Sequence, residues 1–162
     1  MRQQPVWEVF ILEYGFVKVA AATPEIKVAD CAYNTDAVLA LWQQAEEKGC
    51  HLVVFPELVL TGYTCGDLFL QPVLLQGCMN GLQKLIEASR QLQSAAVIGA
   101  PVTHGGKLYN CAVVLQQGEV LGIVPKSSLP TYGEFYEQRH FNTAPAANSY
   151  FSANSCPTLP LR

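Results

Sequence analysis

The chain has 162 residues, enough for one compact domain with its own core. Half of them are hydrophobic and 14% are charged, which excludes a disordered chain. The formal net charge is -3 and the ten Lys and Arg form no run, so no surface for nucleic acid is expected.

Residues 1–13 show no clean period and are taken as an N-terminal extension. Their apolar stretch, Val6 to Leu12, is broken by Glu8, so it serves neither as a signal core nor as a membrane span. Phe16 to Ala22 reads as a buried strand ended by Thr23 and Pro24. Asn34 is the expected N-cap of a helix carrying Val38, Leu39, Leu41, Trp42 and Ala45, with Gly49 closing it. His51 to Phe55 is a short apolar strand stopped by Pro56. A polar loop, 61–67, leads to a second amphipathic helix from Leu74 to Leu92, which Gly77 and Gly81 are expected to weaken. Ala95 to Ala100 is another buried strand. Turns at 104–107 and 117–118 join two more, Leu108 to Gln116 and Glu119 to Val124. Strand, helix, strand, helix and then strands on short turns predict an α/β domain with a mixed sheet. Residues 142–162 lack an apolar period and are expected to form an irregular tail or a truncated end.

The six cysteines, at 31, 50, 65, 78, 111 and 156, include no CxxC pair, which gives no support to a zinc ribbon or a thioredoxin-like motif. They are read as free thiols in a cytoplasmic protein, with no metal site.

Two places carry groups suited to chemistry. Glu57 follows HLVVF-P and Lys126 follows VLGIV-P, each at the end of an apolar strand. A carboxylate so placed suits a general base and a lysine suits an oxyanion contact. Each position also fits a solvated loop residue, but neighbouring strands would bring the two opposite charges together. Between Lys126 and Phe141 lie Tyr132, Glu134, Tyr136, Glu137 and Arg139, a cluster able to hold the ammonium of an amino-acid substrate.

FPEL at 55–58, LTGYTCGDLF at 60–69, YGFVKVAAATPEIKVAD at 14–30 and PKSSLPTYGEFYEQRHF at 125–141 together resemble the nitrilase superfamily. They are most similar to its branch that serves as the glutaminase domain of glutamine-dependent NAD⁺ synthetases. The resemblance covers residues 14–141. It implies a nitrilase-like αββα sandwich with mixed sheets, incomplete in this chain, and a Glu-Lys-Cys constellation. Glu57 matches the family's base and Lys126 its lysine, while Glu134 matches an acid that supports the lysine. Tyr132 matches a tyrosine that contacts glutamine, and Tyr63 and Glu137 match further substrate-pocket positions.

The family's cysteine sits on a later apolar strand, and no such segment precedes Arg162. Cys156 stands in Asn-Ser-Cys-Pro-Thr, without a strand before it, and Cys65 fits the family's loop as a bystander. The chain is therefore expected to be an N-terminal piece, inactive alone, whose nucleophile lies beyond residue 162. The resemblance further implies L-glutamine as substrate, no cofactor for the amidase part and a homo-oligomeric parent. An absent C-terminal synthetase domain would use ATP and Mg to convert deamido-NAD⁺ to NAD⁺. Two alternatives stay open: a stand-alone nitrilase-like hydrolase acting on another amide, and a non-catalytic fragment.

Overall fold

The structure is a computed structural model that describes residues 15–145, 150 and 151. The expected extension, 1–13, lies outside the described residues, as do Cys156 and most of the expected tail.

Five strands form one sheet in chain order: β1 (Val19–Ala21), β2 (Leu52–Val54), β3 (Ala95–His104), β4 (Lys107–Gln116) and β5 (Glu119–Pro125). The first three run parallel, linked by helices α1 (Cys31–Glu47) and α2 (Pro72–Ser89), and β4 and β5 return antiparallel. Crossover helices are what parallel neighbours require, and two-residue turns suffice for the antiparallel ones.

Strand alternation sorts the side chains. Val53, Ile98, Ala100, Val113 and Ile123 point to the helices and are fully buried. In the opposite row Val19, Val54 and Val124 are exposed. The molecule therefore has two layers, helices on sheet, with the second sheet face open. That face is largely apolar, of the kind that marks an interaction surface or an aggregation hazard.

The helix layer is tighter than its glycines suggest. A Cβ on Gly81 would stand 2.3 Å from Thr35 Oγ1, and one on Gly77 would touch Cys31. These glycines cost helix propensity but let α2 approach α1 closely. Helix α1 begins earlier than expected. Its N-cap is Asp30, whose carboxylate accepts from Tyr33 N–H, and the expected cap Asn34 lies inside the helix, fully buried. Asn34 Nδ2 donates to Lys27 O at 2.8 Å and Leu60 O at 3.1 Å, and its Oδ1 accepts from Lys27 N at 2.7 Å. It ties the loop after β1 to the loop after β2, which carries Glu57. A buried amide satisfied three times over fits this interior role better than a cap.

Two smaller features lie along β5. Between Val114 and Leu115 the β4–β5 register shifts by one residue, because β5 holds Leu121 as an extra residue there. And Phe151, from the expected irregular tail, packs on the sheet. It is buried, its N–H donates to Ile123 O at 2.8 Å, and its ring stacks on His104.

Candidate active site

Glu57 and Lys126 emerge at the same end of the sheet, but not from neighbouring strands as expected: β3 and β4 lie between β2 and β5. Phe55 N–H still bonds Val97 O, so β2 holds its ladder almost to Pro56. The chain then crosses the open face of β3. A Cβ on Gly99 would meet Pro56 O at 2.3 Å, Leu58 N at 2.5 Å and the Glu57 carbonyl carbon at 2.8 Å. Only a glycine in β3 lets the Glu57 backbone lie so close. Gly99→Ala is expected to lower stability by about 1–3 kcal/mol, the usual cost of overpacking, and to displace Glu57. Urea denaturation against wild type measures it. Leu58, directly after Glu57, has a φ of 52°, a strained value for a branched residue, and sits fully buried.

Lys126 is fixed by its backbone on both sides. Its N–H donates to Asn110 O at 2.8 Å, and its carbonyl accepts from Ala144 N at 3.1 Å. Its Nζ bridges two carboxylates, Glu57 Oε1 at 2.7 Å and Glu137 Oε1 at 2.9 Å. Burial opposes the lysine's charge, but hydrogen bonds and charge from these two acids outweigh it and hold its pKa above the ordinary value. Tyr63 OH donates to the same Glu137 oxygen at 2.7 Å, and Asn110 Nδ2 donates to Glu57 Oε1. Burial, the bond to Glu137 and the surrounding carboxylates push the Tyr63 phenol far above its normal range, so it stays a neutral donor.

The second carboxylate is where expectation and structure part. Glu134, expected to support the lysine, is exposed and makes no ion pair with it among the described residues. Glu137, expected in the substrate pocket, is 5% exposed and makes that pair. The cause is local. Gly133 turns the chain with a φ of 59°, and a short 3₁₀ helix, Glu137–Arg139, then carries the later acid inward. Arg139 fastens this segment with a two-point contact to Asp67, Nε to Oδ1 at 2.7 Å and Nη2 to Oδ2 at 3.0 Å. Asp67 belongs to the 3₁₀ segment Tyr63–Leu70, so the clamp joins the two stretches that supply Tyr63 and Glu137. Tyr132 stands apart, 73% exposed, its ring edge-on to Phe135 at 5.8 Å, which in turn packs against Tyr63.

In front of Glu57, Asn110 and Lys126 opens a cleft of about 550 Å³ along the free sheet face, lined also by Val54, Val97, Ser127 and Ser128. A smaller cavity of about 200 Å³ lies between Tyr63, Glu134, Tyr136, Glu137 and His140. The arrangement offers a base, a cation fixed beside it and an adjoining acidic, aromatic pocket. Sequence reasoning missed Asn110, a strand residue whose role depends on its cross-strand neighbours.

The five described cysteines are buried, and Cys31, Cys50, Cys65 and Cys78 are free thiols. Burial pushes the Cys31 thiol up to about 11 and raises Cys65 and Cys78 too, the opposite of an activated nucleophile. Cys65 instead donates to Thr61 O at 3.1 Å. Cys111 borders the cleft, but alternation sets it in the buried row with Val113 and Leu115. Among the described residues no cluster of His, Cys, Asp or Glu is placed to hold a metal, and no helix is long and apolar enough to cross a membrane.

Comparison with known proteins gives the family and supports the fold. The glutamine-dependent NAD(+) synthetase of Mycobacterium tuberculosis is 46% identical over 127 residues, covering 78% of this chain and 19% of that protein. The chain thus spans about a fifth of the length of that relative. Among solved structures, a glutamine-dependent NAD(+) synthetase from Cytophaga hutchinsonii superposes with a TM-score of 0.76 at 25% identity, over 82% of this chain and 22% of that one. An amidase from Nesterenkonia sp. shares the fold, with a TM-score of 0.67 at 23% identity, over 80% of this chain and 49% of its own. The profile of the carbon-nitrogen hydrolases matches residues 18–153, from the start of β1 past the lysine loop. The chain belongs to the carbon-nitrogen hydrolase family, the nitrilase superfamily.

Proposed function

We propose that this chain supplies the acid–base part of a glutamine-hydrolysing site, which feeds ammonia to the synthesis of NAD⁺. The observation that carries the reading is the bridge of Lys126 between Glu57 and Glu137, beside an open cleft. In this reading Glu57 takes the proton of a cysteine thiol. The thiolate attacks the side-chain amide carbon of glutamine. Lys126 and a backbone N–H stabilise the tetrahedral oxyanion, and Glu57 returns the proton to the departing ammonia. Water, deprotonated by Glu57, then cleaves the thioester to glutamate.

Glu137 keeps the lysine charged and oriented. Tyr63, Tyr132 and Glu134 border the region where the amino-acid end of glutamine would lie. The nucleophile is assigned to a cysteine outside residues 1–162: none of the described thiols faces the cleft, and Cys156 has no apolar strand before it in the sequence. ATP and Mg belong to the amidation of deamido-NAD⁺ by a synthetase domain, outside these residues as well. A cytoplasmic, homo-oligomeric enzyme is the setting that the family resemblance implies.

Glutamate release from glutamine tests the reading, with the purified 162-residue chain set against the natural full-length protein. The chain alone should show none above background, and the longer form should be active. Equal activity would place the nucleophile within residues 1–162, at Cys65 or Cys156 first. Turnover of simple aliphatic amides without glutamine turnover would favour a stand-alone amidase.

A further inference from the structure

Among the described residues, Glu57 is held by one oxygen only. Its Oε1 accepts from Lys126 Nζ and from Asn110 Nδ2, while no donor among the described residues reaches Oε2. Asn110 occupies the open-face row of β4 with Leu108, Ala112 and Val114, and is the polar member of that apolar stretch. It is 3% exposed. A buried amide in an apolar row costs free energy unless it is bonded, and here its bond goes to a residue of another strand's loop. The same residue's carbonyl accepts the Lys126 N–H at 2.8 Å. One strand residue therefore touches both members of the pair, the lysine through its main chain and the glutamate through its side chain.

We propose that Asn110 is a positioning residue, whose amide, together with Lys126, immobilises Oε1 of Glu57 and leaves Oε2 turned to the cleft as the oxygen that carries protons. The proposal rests on the amidase reading for its kinetic consequence. An amide is suited to this task because its NH₂ donates and can neither take up a proton nor repel the carboxylate. Without it the Glu57 side chain pivots about a single contact to Lys126, and proton transfer loses its fixed geometry.

The test uses the natural full-length protein with two nearly isosteric variants, Asn110→Leu and Asn110→Asp. For Asn110→Leu, kcat on glutamine should fall about 10- to 100-fold, with KM within about threefold, as expected for lost orientation of a base. For Asn110→Asp, a second carboxylate beside the first should also move the acid limb of the kcat/KM profile to higher pH. A merely structural strand residue would lower the folded fraction and leave that limb where it is. Wild-type kcat in both variants, or a loss that follows thermal stability alone with the limb unmoved, overturns the proposal. If the wild type does not hydrolyse glutamine, the amidase reading fails by itself, and crystal structures of the two variants decide on Asn110. A Glu57 carboxylate rotated away in both supports the positioning role, and an unchanged one overturns it.

Discussion

Lys126→Met should lower folding stability by about 2 kcal/mol, between the value of an exposed pair and that of a fully buried one. The lysine is partly exposed, but Glu137 is almost wholly buried, and without the ammonium its carboxylate keeps, among the described residues, only the Tyr63 hydroxyl. The loss is therefore mainly the cost of an unpaired buried charge. Adding Glu137→Gln to Lys126→Met should recover at least half of it, because that charge is then gone. Urea titrations of the two single variants and the double variant give the coupling directly. The pH dependence follows from the lysine's raised pKa. Its contribution is complete below the ordinary value of 10.5 and is lost as pH rises through the higher folded value, so wild type and Lys126→Met should converge as pH rises into strong alkali.

Glu57→Gln should cost the larger factor in rate. In the full-length protein we expect kcat for glutamine to fall by about 10²- to 10⁴-fold, the range for loss of a general base. KM should change little, since glutamine amide and carboxylate fill the same volume and Lys126 still has Glu137 as a partner. The fold should hold, because Glu57 is exposed and its neighbours can bond a neutral amide. Steady-state kinetics with a thermal melt as control separate the two. Retention of more than a tenth of the wild-type rate would remove Glu57 from the role of base.

Glu57 and Lys126 were legible because each signal is local. An apolar strand, a proline that ends its ladder and a charged residue just beyond can be read along the chain. Both helices and β2 to β5 were legible for the same reason, through period and breakers, whereas the expected buried strand from Phe16 to Ala22 is only Val19–Ala21, with Phe16, Val17 and Val19 exposed. Asn34 reads as a cap because its residue type fits one, whereas its three bonds reach backbone outside its own helix, as far away as Leu60. Glu134 and Glu137 lie three residues apart in a turn with no apolar period. Which of them faces inward is set by Gly133 and by the Asp67–Arg139 clamp, a contact across 72 residues. Asn110 had no local mark at all. A single amide within a strand means something only once the crossing Glu57 loop and its landing place at Gly99 are known.

The extra residue in β5 gives the site a parity. Pairing between β4 and β5 resumes past Leu121 with Gly122 opposite Val114, and the alternation then carries Val124 and Lys126 to the face that Asn110 and Glu57 occupy. An even number of residues separates the lysine from that point. Were Leu121 paired opposite Val114 instead of bulged, with the turn at 117–118 kept, every later residue of β5 would exchange faces, and the ammonium would point toward the helices. Hydrophobic content would hardly change, and neither would strand length. What would be lost is a count of one, so the chemistry of this sheet end depends on arithmetic along an edge strand.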